Sequence, residues 1–173
     1  MDANPVLRPK LATPALVLTS VALSMCVTYL LGTMAVSRPP TLLLQATALA
    51  ALLVTTIAGS VWLARMRRLR LWTAAATEKW NRFDEAKLAH RTTAEVTVLS
   101  VDSLEPTGSW ITIRWNRFEH IQRAWIEALP DPIWPGSVLL ISPDPAQVRP
   151  GAPWPSTYYI QASNCLVWAP IQR

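Results

Sequence analysis

The sequence predicts an α+β membrane protein: a two-helix transmembrane hairpin, a long cytoplasmic helical extension and a small antiparallel β-barrel of the SH3-like or OB-like kind. Three observations predict it. Two uncharged apolar runs, each long enough to span a bilayer, are separated by only four residues. Arg65, Arg67, Arg68 and Arg70 crowd directly behind the second run. From Thr92 onward the apolar spacing changes from three-and-four to two, and β-branched and aromatic residues take over. The expected layout is 1–13 an N-terminal cytoplasmic tether, 14–36 the first transmembrane helix, 37–40 an external turn, 41–64 the second transmembrane helix, 65–91 a cytoplasmic helical extension and 92–173 a cytoplasmic β-domain.

Residues 1–13 carry Arg8 and Lys10 among Pro5 and Pro9, a composition that cannot form a regular helix. Pro14 then stands where a first helical turn tolerates proline. Ala15 to Val36 is uncharged and again of spanning length. A secretory signal peptide is the rival reading, since Ala35-Val36-Ser37 resembles a small-residue cleavage site. The run is too long for a signal peptide's apolar region, and a second run follows at once.

Ser37-Arg38-Pro39-Pro40 is short enough to force a tight antiparallel connection. Leu42 to Ala64 is the second uncharged run, and its length suffices to cross about 30 Å of hydrocarbon. Arginines gathered at one end of a span mark the cytoplasmic side. Arg8, Lys10 and the Arg65–Arg70 cluster therefore stand inside against one Arg outside, which places the chain in the plasma (inner) membrane, two-pass, with both termini cytoplasmic. The same four arginines are suited to anionic lipid headgroups.

Small and hydroxyl side chains recur every fourth residue, at Ser20, Ser24, Thr28 and Gly32 in the first run and at Thr47, Ala51, Thr55 and Gly59 in the second. This is the small-xxx-small arrangement of packed membrane helices. The two stripes either face each other within the hairpin or receive a helix of another protein. No Asp, Glu, Lys, Arg or His lies inside either run, so neither holds a candidate proton relay or ion pathway.

No Gly or Pro interrupts the chain between Arg65 and His90, and Ala74-Ala75-Ala76 and Glu78 favour helix, so the second helix is expected to continue into the cytoplasm. Met66, Leu69, Thr73, Ala76, Trp80 and Phe83 make one apolar stripe on it. The stripe packs on the domain that follows, docks on a partner subunit or lies at the lipid surface.

Beyond Thr92 the expected strands are Thr93–Val101, Trp110–Trp115, His120–Leu129, Ser137–Ile141, Tyr158–Ala162 and Cys165–Trp168. Alternation points Val96, Val98, Ile111, Ile113 and Trp115 inward. Pro143 to Pro155 contains five prolines and reads as a long, stiff loop. Six of the nine tryptophans fall in this domain, more than one small barrel interior easily buries. Trp134 and Trp154, each beside proline, are the candidates for surface anchors alongside Met66, Leu69, Trp80 and Phe83.

Charge divides the chain. Residues 1–91 hold eleven Lys/Arg against four Asp/Glu, and residues 92–173 five against seven. The overall net charge of +5 thus belongs to the membrane-flanking half, and a net acidic β-domain disfavours nucleic acid. Cys26 and Cys165 fall in different compartments and should not pair, and with His90 and His120 they show no zinc-ligand spacing. His120 with Glu119, or Cys165 with His120 and Asp102, could form a nucleophile and base, but no flanking motif supports either. No glycine-rich phosphate loop or dinucleotide fingerprint is present. The sequence therefore predicts no catalytic residue, cofactor or metal.

The layout, with Ile111-Thr112-Ile113-Arg114-Trp115, Arg123-Ala124-Trp125, Trp134-Pro135-Gly136-Ser137-Val138-Leu139-Leu140-Ile141 and Pro153-Trp154-Pro155, resembles small membrane proteins of actinobacteria. In particular it looks like the accessory subunit, called a lipid-uptake coordinator, of the mycobacterial mammalian-cell-entry (Mce) lipid-import complex. That resemblance implies a non-catalytic subunit bound beside the integral membrane permease of an ATP-driven lipid importer, with no catalytic residues to carry over. The NfeD-like proteins, membrane-anchored modules with an OB-like barrel, are similar in outline. This chain departs from them in its long charged helix and its proline-rich loop.

Overall fold

A computed structural model describes residues 4, 6–36, 41–90, 92–129, 131–149 and 151–171. The expected external turn at 37–40, Arg91 at the boundary of the β-domain, and Pro130 and Pro150 of the proline-containing loops lie outside the described residues. The elements are α1 (Pro14–Val36), α2 (Leu42–Ala89), β1 (Ala94–Glu105), β2 (Gly108–Trp115), β3 (His120–Glu127), β4 (Ser137–Ile141), β5 (Thr157–Ile160) and β6 (Cys165–Pro170), with a 3-10 turn at Ala162–Asn164. They form two compact units, Pro9–Trp72 and Thr73–Arg173 with Met1–Arg8.

In the first unit, Thr13 precedes Pro14 and accepts from the Val17 amide, while the Thr41 hydroxyl accepts from the Leu44 amide at the start of α2. Both helices are long and apolar enough to cross a membrane, and no residue of either apolar window is buried. The hydroxyls along them are satisfied locally: Ser20, Ser24, Thr28, Thr47 and Thr55 each donate to a carbonyl three or four residues back. Such back-bonding lets a hydroxyl sit in an apolar medium without an external partner.

The two helices do not meet along the four-residue stripes. Partly sheltered positions include Leu16, Ser20, Leu23, Val27, Leu30 and Met34 on α1, and Leu44, Ala48, Ala51, Ala58, Trp62 and Arg65 on α2. They step by four and three, with one step of seven from Ala51 to Ala58, which keeps the seven-residue repeat of a left-handed helix pair. Trp62 Nε1 donates to Ser20 Oγ at 3.0 Å across it, and Arg65 Nη1 to Thr13 Oγ1 at 3.4 Å. The reason is geometric. A strict step of four turns about 40° further round the helix each time. A stripe that begins on the seam at Ser20 has consequently left it by Gly32. Ser20 and Ala51 lie on the seam, whereas Ser24, Thr28, Gly32, Thr47, Thr55 and Gly59 are exposed. A Cβ added at Gly32 or Gly59 would meet nothing within 4 Å.

In the second unit the six strands form one sheet in the order β5-β3-β2-β1-β4-β6. All six expected strands are present, with ends moved by up to four residues. Two features of the expected architecture are corrected. The sheet is mixed, because β5 runs parallel to β3, and it is not closed, because β5 and β6 are free edges. It is nonetheless curled: Tyr158 and Ile160 of β5 share one core with Leu139 and Ile141 of β4 and with Val96, Val98, Ile111, Ile113 and Trp115. These last five are the inward residues expected from alternation, and none is more than 2% exposed.

β4 is buried along its whole length, as its unbroken apolar run Val138-Leu139-Leu140-Ile141 requires. Leu139 and Ile141 point to the main core, while Val138 and Leu140 join Phe83 and Ala169 on the other face. Trp80 and Ala86 pack at the margin of that second cluster, so this part of the apolar stripe on α2 is covered by the domain that follows. Ala76 is buried as well. Met66 and Leu69 belong to the first unit.

The N-terminal tether is not wholly free. Val6 is 1% exposed, the Asn4 side chain donates to the Pro135 carbonyl at 3.0 Å, and Val6 Cγ1 stands 3.6 Å from where a Cβ of Gly136 would be. Gly136 has φ +88°, a conformation costly for any residue with a Cβ.

Candidate binding cleft

A cleft of about 850 Å³ opens between the proline-rich loop and the near end of the sheet. Strand β2 brings Trp115 to its wall, and the β2–β3 turn adds Asn116, Arg117 and Phe118. The beginning of β1 contributes Ala94 and Glu95, the last turn of α2 Lys87, and the loop Val148, Arg149 and Trp154 with Pro143, Pro153 and Pro155.

The loop is ordered by specific contacts in addition to its prolines. Asp144 accepts from the Ala146 amide at 2.8 Å and from Gln147 Nε2 at 3.0 Å, and these hydrogen bonds hold its carboxyl below the usual range. Gln147 then uses both ends of its amide on one residue of β5. Its Nε2 donates to the Tyr159 carbonyl at 3.0 Å, and its Oε1 accepts from the Tyr159 amide at 2.8 Å. A side chain here does what a neighbouring strand would do for an edge. The Tyr158 hydroxyl accepts from the Asp144 amide at 3.0 Å, and burial pushes its pKa up.

Trp154 is the hub of the aromatic wall. It stacks on His120 with ring centres 4.6 Å apart and planes 21° apart, and it meets Trp115 at 5.2 Å and Phe118 at 5.6 Å. It was expected at the surface and is instead half-buried against the main core. Trp134 is half-buried too, and its Nε1 has no hydrogen-bond partner among the described residues. Trp115 Nε1 and Gln122 Nε2 are likewise buried without an acceptor.

The rim is cationic. Lys87 pairs with Glu95 at 2.6 Å, which neutralises the carboxylate among the lining residues. Arg117 and Arg149 are exposed, and no ion pair engages either among the described residues. Elsewhere in this unit some charges are engaged. Arg123 lies 3.9 Å from Asp102 and over the Trp110 ring, and Lys79 sits over Trp168, whose Nε1 donates to Asp131. Desolvation lowers the Lys79 pKa, with Asp131 opposing it.

Cys165, His120 and Asp102 stand on β6, β3 and β1 and share no hydrogen bond among the described residues. His120 on β3 bonds Gln122 at 3.2 Å and stacks on Trp154. Cys165 opens β6, at the far side of the sheet order, and Asp102 accepts from Ser100 and Thr112. Burial pushes the Cys165 thiol up to about 11, so it is protonated at neutral pH and a poor nucleophile. Among the described residues no three His, Cys, Asp or Glu side chains converge to hold a metal. Arg65, Arg67, Arg68 and Arg70 lie in the first unit, where Arg65 reaches Thr13.

Sequence reasoning passed over Arg117, Phe118 and Arg149, which read simply as turn and loop. A signal was there: in a net acidic domain, two of the five arginines stand beside an aromatic or a proline in connecting segments, Arg117 before Phe118 and Arg149 before Pro150. No family model, no curated protein and no solved structure matches this chain.

Proposed function

We propose that this chain is a non-catalytic accessory subunit of an inner-membrane assembly, docking through its helix pair and holding the β-domain beside a neighbouring subunit on the cytoplasmic side. The observation that carries the reading is the exposed small-residue face on each helix. Ser24, Thr28 and Gly32 on α1, and Thr55 and Gly59 on α2, lie off the seam that the two helices use for each other. Backbones can approach closely only where side chains are small, so these faces suit helices of an integral membrane permease. An ATP-driven lipid importer of the Mce type is the assembly we propose, on the resemblance in layout.

Placement in the membrane is supported by the apolar helices, neither of which buries a residue of its window. Arg65, Arg67, Arg68 and Arg70 support an inward orientation and contact with anionic headgroups. A protonated Cys165 thiol, raised by burial, speaks against its use as a nucleophile at neutral pH.

The test is co-purification of the tagged full chain in mild detergent. Permease or ATPase subunits in stoichiometric yield are expected, and Gly32→Leu or Gly59→Leu should reduce that yield severalfold. Because neither glycine faces the seam, the helix pair itself should survive both substitutions. A lone monomer, or undiminished yield in both variants, would exclude docking through these faces. A free-standing membrane-anchored binding module is the second reading, and the cleft favours it.

A further inference from the structure

We propose that the cleft beneath the proline-rich loop binds an organic anion, a carboxylate or phosphate carried on an apolar body, with Arg117 and Arg149 taking the charge, Trp154 and Phe118 taking the body, and buried Trp115 backing Trp154. At about 850 Å³ the cleft falls within the usual range of small-molecule sites. Its chemistry is divided as such a ligand requires. One wall is a cluster of three aromatic rings, Trp154 touching both of the others. Two guanidiniums without an ion-pair partner among the described residues stand at the rim. Guanidinium forks match carboxylate and phosphate oxygens two at a time.

Charge complementarity sets the sign. Residues 92–173 carry seven acids against five arginines, yet the lining of the cleft holds Lys87, Arg117 and Arg149 against Glu95 alone. Lys87 already neutralises Glu95, leaving the two arginines to attract an anion with no lining carboxylate to repel it. Preorganisation adds to this. Arg149 stands two residues after Gln147, whose amide grips Tyr159, and Arg117 sits in a four-residue turn between paired strands. The backbone that carries both guanidiniums is thus held in place before binding. A bare inorganic anion would leave the aromatic wall unused, and a neutral apolar molecule would leave the arginines unused.

The source of the anion, a lipid headgroup or a soluble metabolite, is separable by experiment. The full chain in phosphatidylcholine nanodiscs is titrated by calorimetry with octyl phosphate, octanoate, octanol and inorganic phosphate. Octyl phosphate and octanoate should bind saturably, with octanol and inorganic phosphate each about tenfold weaker or more, the factor one charge-assisted hydrogen bond supplies. The R117A/R149A double variant should lose about the same factor for the anions and nothing for octanol. Both positions are exposed, so its melting temperature should match the parent's. Repeating the titration in nanodiscs containing phosphatidylglycerol identifies the source: competition means a headgroup occupies the cleft, and unchanged affinity means a soluble anion does. Octanol binding as well as octanoate, inorganic phosphate binding as well as octyl phosphate, or an R117A/R149A variant with parental affinity would each overturn the proposal. Recruitment of an acidic peptide in place of these anions would overturn it as well. The outcome does not depend on the proposed assembly, since a lone monomer would still bind.

Discussion

Cys165 is the residue whose surroundings most change its chemistry. Burial raises its thiol from the ordinary 9.0 to about 11. Between those two values the unfolded chain has lost the proton and the folded chain still holds it. Folding therefore becomes less favourable as pH rises through this window, by an amount on the order of 2–3 kcal/mol when complete. Tyr158, also raised by burial, acts in the same direction above pH 10, whereas Lys79, lowered by desolvation, opposes them by gaining stability as it deprotonates. The expected outcome is a melting temperature that falls from pH 9 to 11 and falls less steeply in Cys165→Ala. Parallel curves for parent and variant would show that the thiol titrates alike in both states.

At the scale of elements, the edge strand and the proline-rich loop stabilise one another through Gln147. Its two hydrogen bonds to Tyr159 take the place of a ladder that β5 lacks on its outer side. Gln147→Ala removes both and frees the loop that carries Arg149 and Trp154. A loss of about 1–2 kcal/mol is expected, together with faster hydrogen exchange at the Tyr159 amide. Exchange at that amide unchanged from the parent would assign the order of the loop to its prolines instead. β4 illustrates the opposite economy: with both faces covered, Leu139 and Ile141 enter one core and Val138 and Leu140 the other. The end of α2 supplies one of those covers through Phe83, which explains why this charged helix needs an apolar stripe at all.

On the scale of the whole molecule, the two ends of the chain share a compact unit. Asn4 and Val6 contact Pro135 and Gly136, and Ile171 donates its amide to the Gly136 carbonyl. Two helices of spanning length lie between the N-terminal segment and the sheet in sequence. An even number of crossings returns a chain to the side on which it began, so this packing is compatible with the two-pass topology proposed above. Reporter tags at either terminus should give the same answer, and the arginine cluster predicts the inner side. Digestion of intact cells should spare the tryptophan-rich domain, with cleavage only after permeabilisation. Cleavage in intact cells would reverse the proposed orientation, and tags on opposite sides would break the helix pair as a two-pass unit.

Much of the architecture was legible in the residues because it depends on local repetition. The two uncharged runs, the helix continuing from Arg65 to Ala89 and the six strands all follow from spacings of a few residues, and Ser137–Ile141 appears with its expected bounds. Inward-facing Val96, Val98, Ile111, Ile113 and Trp115 follow from the same alternation. Contacts between distant segments carry no such signature. That β5 crosses to pair parallel with β3, leaving an open curled sheet in place of a closed antiparallel barrel, depends on where a long loop travels. The seam between the helices depends on accumulated rotation along each of them, which moved Gly32 and Gly59 away from it. The cleft is the sharpest case: Arg117 and Arg149 are 32 positions apart, and they share a rim only because the chain returns across the end of the sheet. Periodicity in the sequence determined what each segment became, and the path of the chain in space decided which segments could act together.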